Sequence, residues 1–232
     1  MRVEARGFSI MRTCGPLLAC DGVYVKVCGV TRLEDAEMCA EAGVDAIGLN
    51  FFPGSKRYRA LEEIGEWLPR VPAGLRRIAL FVNAEREEIA RVVGSGWFEG
   101  IQLHGDEPAE FTAEVQRLGL PVLRAIALRS EADFARIASD PADGFVLDAH
   151  APGVYGGTGA RSDWNLAAEA VRRFAGRPML LAGGLVPANV AAAVAAVSPW
   201  GVDTASGVES GPGRKDAGMV RAFVRAARGK LD

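Results

Sequence analysis

From Val23 onward, short apolar and β-branched runs alternate with longer segments in which apolar residues return every three or four positions. The short runs cover residues 23–28, 45–50, 76–82, 98–104, 121–127, 144–148, 178–182 and 202–205, each with the length and composition of a buried strand. Helical spacing is plainest over 31–42, where Leu33, Ala36, Cys39 and Ala40 share one face and most charged residues lie elsewhere. It recurs near 62–68, 85–93, 108–118, 131–139, 165–174, 187–197 and 216–227. Strands separated by helices pair in parallel, because each crossover returns the chain to the same edge. Eight βα units of nearly equal length, with no long crossover, predict an α/β fold closed as a (β/α)8 barrel, the TIM-barrel architecture. An open doubly wound sheet is the competing arrangement. Residues 1–22 fall outside the alternation and are expected to form a short N-terminal extension, either unanchored or packed across the barrel floor. Residues 23–232 then make up the single barrel domain.

In such a barrel, chemistry gathers at the C-terminal ends of the strands and in the loops that follow them. That rule nominates Cys28, then Asn50 with the basic loop Gly54-Ser55-Lys56-Arg57-Tyr58, then Gln102, His104, Arg124, Asp148 and Asp203. Two glycine-rich loops, Ala182-Gly183-Gly184-Leu185 and Ala205-Ser206-Gly207-Val208, follow the seventh and eighth strands. Loops in these two places frequently build a phosphate site, and glycine lets backbone N–H groups approach an anion closely. The 28 glycines among 232 residues exceed the usual share of about 7%, and part of the excess falls in these loops. Plainer readings stand beside the chemical ones. A strand cysteine is often a small buried hydrophobe, and a strand-end aspartate often forms a turn. His104 can be hydrogen-bonded structure, and the glycine loops can be tight turns.

Charge and cysteine usage narrow the field. Lys and Arg number 27 against 29 Asp and Glu, for a net charge of −2, so no nucleic-acid partner is expected. No apolar run approaches the ~18 residues of a membrane span. Four cysteines, at positions 14, 20, 28 and 39, are too few for a disulfide scaffold. The stretch before Leu17-Leu18-Ala19-Cys20 lacks the apolar core of a secretory signal, which points to the cytoplasm. Only His104 and His150 are present, with no carboxylate at ligand spacing, and neither a Walker A nor a GxGxxG sequence occurs. No metal and no cofactor are expected.

Several blocks then become recognisable in order: Lys26-Val27-Cys28-Gly29-Val30-Thr31, Ser55-Lys56-Arg57-Tyr58, Gln102-Leu103-His104-Gly105-Asp106-Glu107, Leu147-Asp148 with Gly156-Gly157-Thr158-Gly159, Leu181-Ala182-Gly183-Gly184-Leu185, and 201–209 continuing to Pro212-Gly213 and Lys215-Asp216. Together they resemble the phosphoribosylanthranilate isomerase family of tryptophan biosynthesis, from about Val25 to the C-terminus. The resemblance implies an Amadori rearrangement of N-(5-phosphoribosyl)anthranilate to 1-(2-carboxyphenylamino)-1-deoxyribulose 5-phosphate. It implies Asp148 as general acid and Cys28 as general base, with Arg57, His104 and Asp203 binding substrate. Gly183, Gly184, Ser206 and Gly207 would then hold its phosphate. The implied partner is this small phosphosugar, for a monomer or homodimer. The acid must stay protonated and the thiol become thiolate near neutrality, against unperturbed values of about 3.9 and 8.5.

Three features depart from the family pattern. Lys56 stands where proline is usual, so a less rigid Arg57 loop is expected; Ala205 replaces a small polar residue; and residues 1–22 have no usual counterpart. Two alternatives remain open. A related isomerase of the histidine pathway would carry aspartate at the Cys28 position, and a non-catalytic binder would not need both Cys28 and Asp148.

Overall fold

The computed structural model describes residues 16–20, 22–149 and 163–229. The predicted loop after the sixth strand, with Gly156-Gly157-Thr158-Gly159, lies outside the described residues, as do His150, Cys14 and residues 1–15. All eight expected strands are present: β1 (Tyr24–Cys28), β2 (Ala46–Asn50), β3 (Arg76–Phe81), β4 (Gly100–Leu103), β5 (Val122–Leu128), β6 (Gly144–Ala149), β7 (Met179–Leu181) and β8 (Gly201–Thr204). Each pairs in parallel with its neighbours in chain order, and β1 pairs with β8 to close the barrel. The open-sheet alternative is thereby excluded. A small antiparallel hairpin, β9 (Glu209–Gly211) and β10 (Arg214–Lys215), follows β8.

The helices around the barrel are α1 (Leu33–Glu41), α2 (Leu61–Gly65), α3 (Arg86–Val93), α4 (Ala109–Gln116), α5 (Phe134–Ser139), α6 (Trp164–Arg173), α7 (Val190–Val197) and α8 (Ala217–Ala227). Several are shorter than their apolar spacing predicts, and for α2 and α5 the local cause is plain. Pro69 disfavours helical backbone at Leu68, and after α2 the chain continues as a 3-10 turn over Leu68–Arg70. Before α5, Asp133 Oδ2 accepts from the backbone N–H groups of Arg129 and Ser130, at 2.9 and 3.1 Å, and the first turn winds as a 3-10 helix.

Alternation along each strand sorts side chains into two cores. Outward residues such as Val25, Val27, Ile47, Leu49 and Phe81 pack on the helix layer through Ala36, Cys39, Ile89 and Val92. Inward residues Tyr24, Ala46, Ile78, Leu123, Val146 and Leu180 fill the lower interior. Each fully buried aliphatic side chain contributes roughly 1.5–3 kcal/mol. Arg124, nominated as a site candidate, belongs to the outer set with Val122 and Ile126. Its guanidinium reaches Glu107 and the Glu107 carbonyl on the outer side of the barrel, outside the cavity lining, and is 1% exposed. Glu107 in turn accepts from the N–H groups of Asn83 and Gly105, so this outward charge cluster ties down the loops after β3 and β4.

The last described residues of the N-terminal segment close the floor. Pro16–Leu18 form one 3-10 turn. Leu17 and Leu18 are buried against the lower interior. Tyr24 Oη donates to the Leu17 carbonyl at 3.0 Å, Trp200 Nε1 to that of Leu18 at 3.1 Å, and Arg76 Nη2 to that of Ala19 at 2.9 Å. Gly100 and Gly144, which open β4 and β6, leave room for the two leucines: a Cβ on either would meet a leucine methyl at 2.6 or 3.2 Å. No described helix is long and apolar enough to cross a membrane.

Candidate active site

With the floor sealed and apolar, the interior turns polar toward the opposite end. There a cavity of about 900 Å³ opens at the C-terminal ends of the strands. Cys28 and Asp148, from β1 and β6, both line it. So do Arg57, His104 and Asp203, together with Gly183, Gly184, Ser206 and Gly207. Every nominated site residue of the resemblance therefore meets in one space.

Asp148 sits with Oδ2 3.2 Å from His104 Nε2, while His104 Nδ1 is 2.9 Å from Gln102 Nε2. With the Gln102 amide donating to Nδ1, the imidazole proton resides on Nε2 and points at Asp148. His104 is thus engaged by the carboxyl group itself, and Gln102 orients it from below.

Cys28 ends β1 and is 9% exposed. Burial pushes its thiol above the ordinary range; Lys26 and Lys215 pull it down, and Asp203 pushes it up. The net direction is upward, opposite to the depressed thiol that the base role demands. Desolvation of the thiolate outweighs the neighbouring cations.

Arg57 crosses the mouth over Gly29, where a Cβ would come within 2.2 Å of Arg57 Cδ. Its Nε and Nη2 donate to the two carboxylate oxygens of Glu209 at 2.8 and 2.7 Å. The loop expected to be less rigid for want of a proline is well tethered. Arg57 N–H donates to Ser55 Oγ, Tyr58 N–H to the Ser55 carbonyl, and Arg59 N–H to the Asn50 carbonyl. Beside it, Phe52, Leu80, Val82 and Ala205 make a small apolar shelf with Cys28.

The two glycine turns face this shelf. Gly183 and Gly184 both have positive φ, 84° and 62°, a path that favours glycine. Asn189 Nδ2 donates to the Gly184 carbonyl and Thr204 Oγ1 to the Leu185 carbonyl, at 2.9 Å each, which fixes the turn. Gly207 lies so close to the β7 loop that a Cβ would stand 1.9 Å from the Leu185 carbonyl oxygen.

Three residues that position the site were missed in the sequence reading. Lys26, fully buried, bonds Asp203 Oδ2 at 3.0 Å. Glu209 holds Arg57, and Lys215 Nζ donates to Glu209 and to the carbonyls of Cys28 and Ala205. Lys26 was legible as the inward residue two before Cys28; Glu209 and Lys215 were legible only as members of the last sequence block. Among the described residues no group of three or more His, Cys, Asp or Glu side chains is placed to hold a metal ion.

Residues 25–226 match the family described as N-(5'-phosphoribosyl)anthranilate isomerase. A relative from Myxococcus xanthus bearing that name is 47% identical over 210 residues, spanning 89% of this chain and 96% of its own. The solved phosphoribosyl anthranilate isomerase from Thermotoga maritima superposes with a TM-score of 0.81 at 36% identity, over 89% of this chain and 99% of that one. Another solved isomerase, in complex with reduced 1-(o-carboxyphenylamino)-1-deoxyribulose 5-phosphate, superposes at 0.78 with 35% identity, over 89% and 99% of the two chains. The barrel, the constellation at its mouth and these likenesses lead to one conclusion: this chain belongs to the N-(5'-phosphoribosyl)anthranilate isomerase family.

Proposed function

We propose that this chain isomerises N-(5'-phosphoribosyl)anthranilate to the corresponding aminoketose, with Asp148 as general acid and Cys28 as general base. The observation that carries the reading is the single cavity lined at once by Cys28, Asp148, Arg57 and both glycine turns. Asp148 gives its proton to the furanose ring oxygen. The C1–O bond then breaks and leaves an iminium ion between C1 and the anthranilate nitrogen. Cys28 removes the C2 proton, and the freed electron pair forms the C1=C2 bond while the iminium pair returns to nitrogen. The neutral enolamine tautomerises to the ketone.

The upward-shifted thiol fits this order of events. A cation within about 4–6 Å favours the thiolate by roughly 1–3 pH units, and the iminium supplies such a charge only after ring opening. His104 orients the acid through its 3.2 Å bond. Arg57 takes the anthranilate carboxylate, and the aromatic ring rests on Phe52, Leu80 and Val82. The phosphate lies against backbone N–H groups of Gly183, Gly184 and Gly207 and the Ser206 hydroxyl. Asp203 Oδ1, buried with no hydrogen-bond partner among the described residues, accepts from a sugar hydroxyl. The free thiols of Cys28 and Cys39 suit a reducing, cytoplasmic setting.

Positioned acid–base groups contribute about 10²–10⁴-fold each. Turnover of freshly prepared phosphoribosylanthranilate, followed by loss of its fluorescence, should fall by at least that range in Cys28→Ala and in Asp148→Ala at unchanged melting temperature. Near-normal kcat in either variant refutes the role given to that residue.

A further inference from the structure

We propose that Lys26, buried beneath the mouth and shared between Asp203 and the Cys28 thiol, is the positioning residue that makes Cys28 a usable base. The inference rests on the reading of Cys28 as base and adds the group that acts through it.

Lys26 is completely shielded from solvent. A buried ion pair is weak as a stabilising device, because desolvation costs several kcal/mol per ion and a well-packed apolar pair often does as well. Its location gives it another use. Alternation along β1 sends Lys26 and Cys28 to the same inner face, one above the other. In the neighbouring strand the residue opposite Cys28 is Gly48. A Cβ built there would lie 2.9 Å from Cys28 Sγ and 3.3 Å from Lys26 Nζ. Thiol and ammonium therefore flank the same bare Cα, and any larger residue would crowd both. On the other side Asp203 stands directly opposite Lys26 in the β1–β8 register and holds its ammonium at 3.0 Å.

The charged groups around the thiol come from four elements. Lys26 lies on its own strand and Asp203 on β8; Lys215 of β10 grips the Cys28 carbonyl at 2.6 Å; Arg57 arrives over Gly29. Beyond Asp203 stand Asp148 and His104. Burial raises the thiol, Lys26 is the largest influence lowering it, and Asp203 works against Lys26 more weakly. The two partners of one ion pair thus act on Cys28 with opposite signs. When the C2 proton moves to sulfur, the thiolate becomes a thiol while the ammonium keeps its charge and its Asp203 partner. The array then stands ready to stabilise the thiolate again.

The test measures the pH dependence of Cys28 alkylation by iodoacetamide in the full chain, read by mass spectrometry of the Cys28 peptide. Lys26→Met should raise the midpoint by about one pH unit or more, roughly a tenfold slower reaction at neutral pH. Asp203→Asn should lower it. The double variant, which leaves no lone buried charge and so guards against misfolding, should remain above the wild type. In the single variants the acidic limb of kcat/KM should move with the alkylation midpoint. The proposal is overturned if the folded double variant stays within about 0.3 pH unit of the wild type, or if both single variants shift the same way. Should Cys28→Ala keep its turnover while the midpoints move as stated, the base role falls and the electrostatic coupling stands. Unmoved midpoints with an inactive Cys28→Ala have the reverse meaning.

Discussion

Replacing Leu17 by alanine tests whether the segment ahead of β1 is part of the folded unit. Leu17 is 3% exposed, and its two methyl groups occupy the dimple above Gly100, where a Cβ would meet them at 2.6 and 3.0 Å. The substitution removes three carbons; at about 0.8 kcal/mol for each buried methylene, transfer alone accounts for about 2.4 kcal/mol. The floor is held by backbone anchors to Tyr24, Trp200 and Arg76, so it collapses only partly. The residual cavity brings the cost to roughly 3–4 kcal/mol, within the measured span for buried leucines. In a domain of this size each kcal/mol moves the melting temperature by about 2–4 °C, so a fall of about 6–16 °C is expected. Urea titration should show a lower midpoint at unchanged slope. Leu17→Met, which conserves volume, should lose less than about 1.5 kcal/mol. Turnover at 20 °C should stay near the parent value, because the site lies at the opposite end of the barrel. A melting temperature within about 2 °C of the parent would mean that the floor is closed without Leu17, and the reasoning fails.

Two further variants concern the mouth. Glu209→Gln leaves Arg57 and Lys215 without their shared anion and should raise KM for phosphoribosylanthranilate by about tenfold or more while kcat changes less. It should also alter acid stability: burial alone would raise the Glu209 carboxyl, but the Arg57 hydrogen bonds and Lys215 bring it below the ordinary 4.5. A depressed carboxyl contributes stability in full above its unfolded value, and loses it as pH falls through the lower folded one. The parent melting temperature should therefore drop below about pH 4.5 more steeply than that of Glu209→Gln; parallel profiles contradict the assignment. Gly207→Ala forces the β7 and β8 turns apart, since its Cβ would stand 1.9 Å from the Leu185 carbonyl. A displacement near 1 Å at a binding site costs about 10²-fold, so kcat/KM should fall by that order, and an unaffected kcat/KM would remove Gly207 from the phosphate site.

The eight strands were legible because parallel strands in a barrel are apolar on both faces and stand out as runs between helical segments. The same property hid which way each side chain points. Arg124 sat at a strand position as eligible as Asp148, and only the pairing of Leu103 with Arg124 sets it on the outer face. Lys26 carries the converse lesson: its inward direction followed from Cys28 two residues on, yet nothing in a single strand announces that Asp203 will stand opposite it. Cys28, Asp148 and the glycine turns followed from the strand-end rule and the family blocks. Glu209 and Lys215 act through partners 152 and 187 residues away, Arg57 and the Cys28 carbonyl, a relation that local pattern does not encode. The floor turn over Pro16–Leu18 is a single turn, too short to show any period.

Glu209 and Lys215 also make the mouth a caliper. One jaw is Arg57, seized by both oxygens of Glu209; the other is the turn around Ala205–Gly207, whose Ala205 carbonyl is held by the same lysine that holds Glu209 and the end of β1. The gap between the jaws is set by the protein before any ligand arrives. Under the proposed roles of Arg57 and this turn, a molecule would be gauged from end to end, and one bearing a phosphate with no carboxylate at the right reach would close on only one jaw. Discrimination among sugar phosphates would then depend on length and two terminal charges, leaving the reacting carbons between them free of tight side-chain contact while their geometry changes.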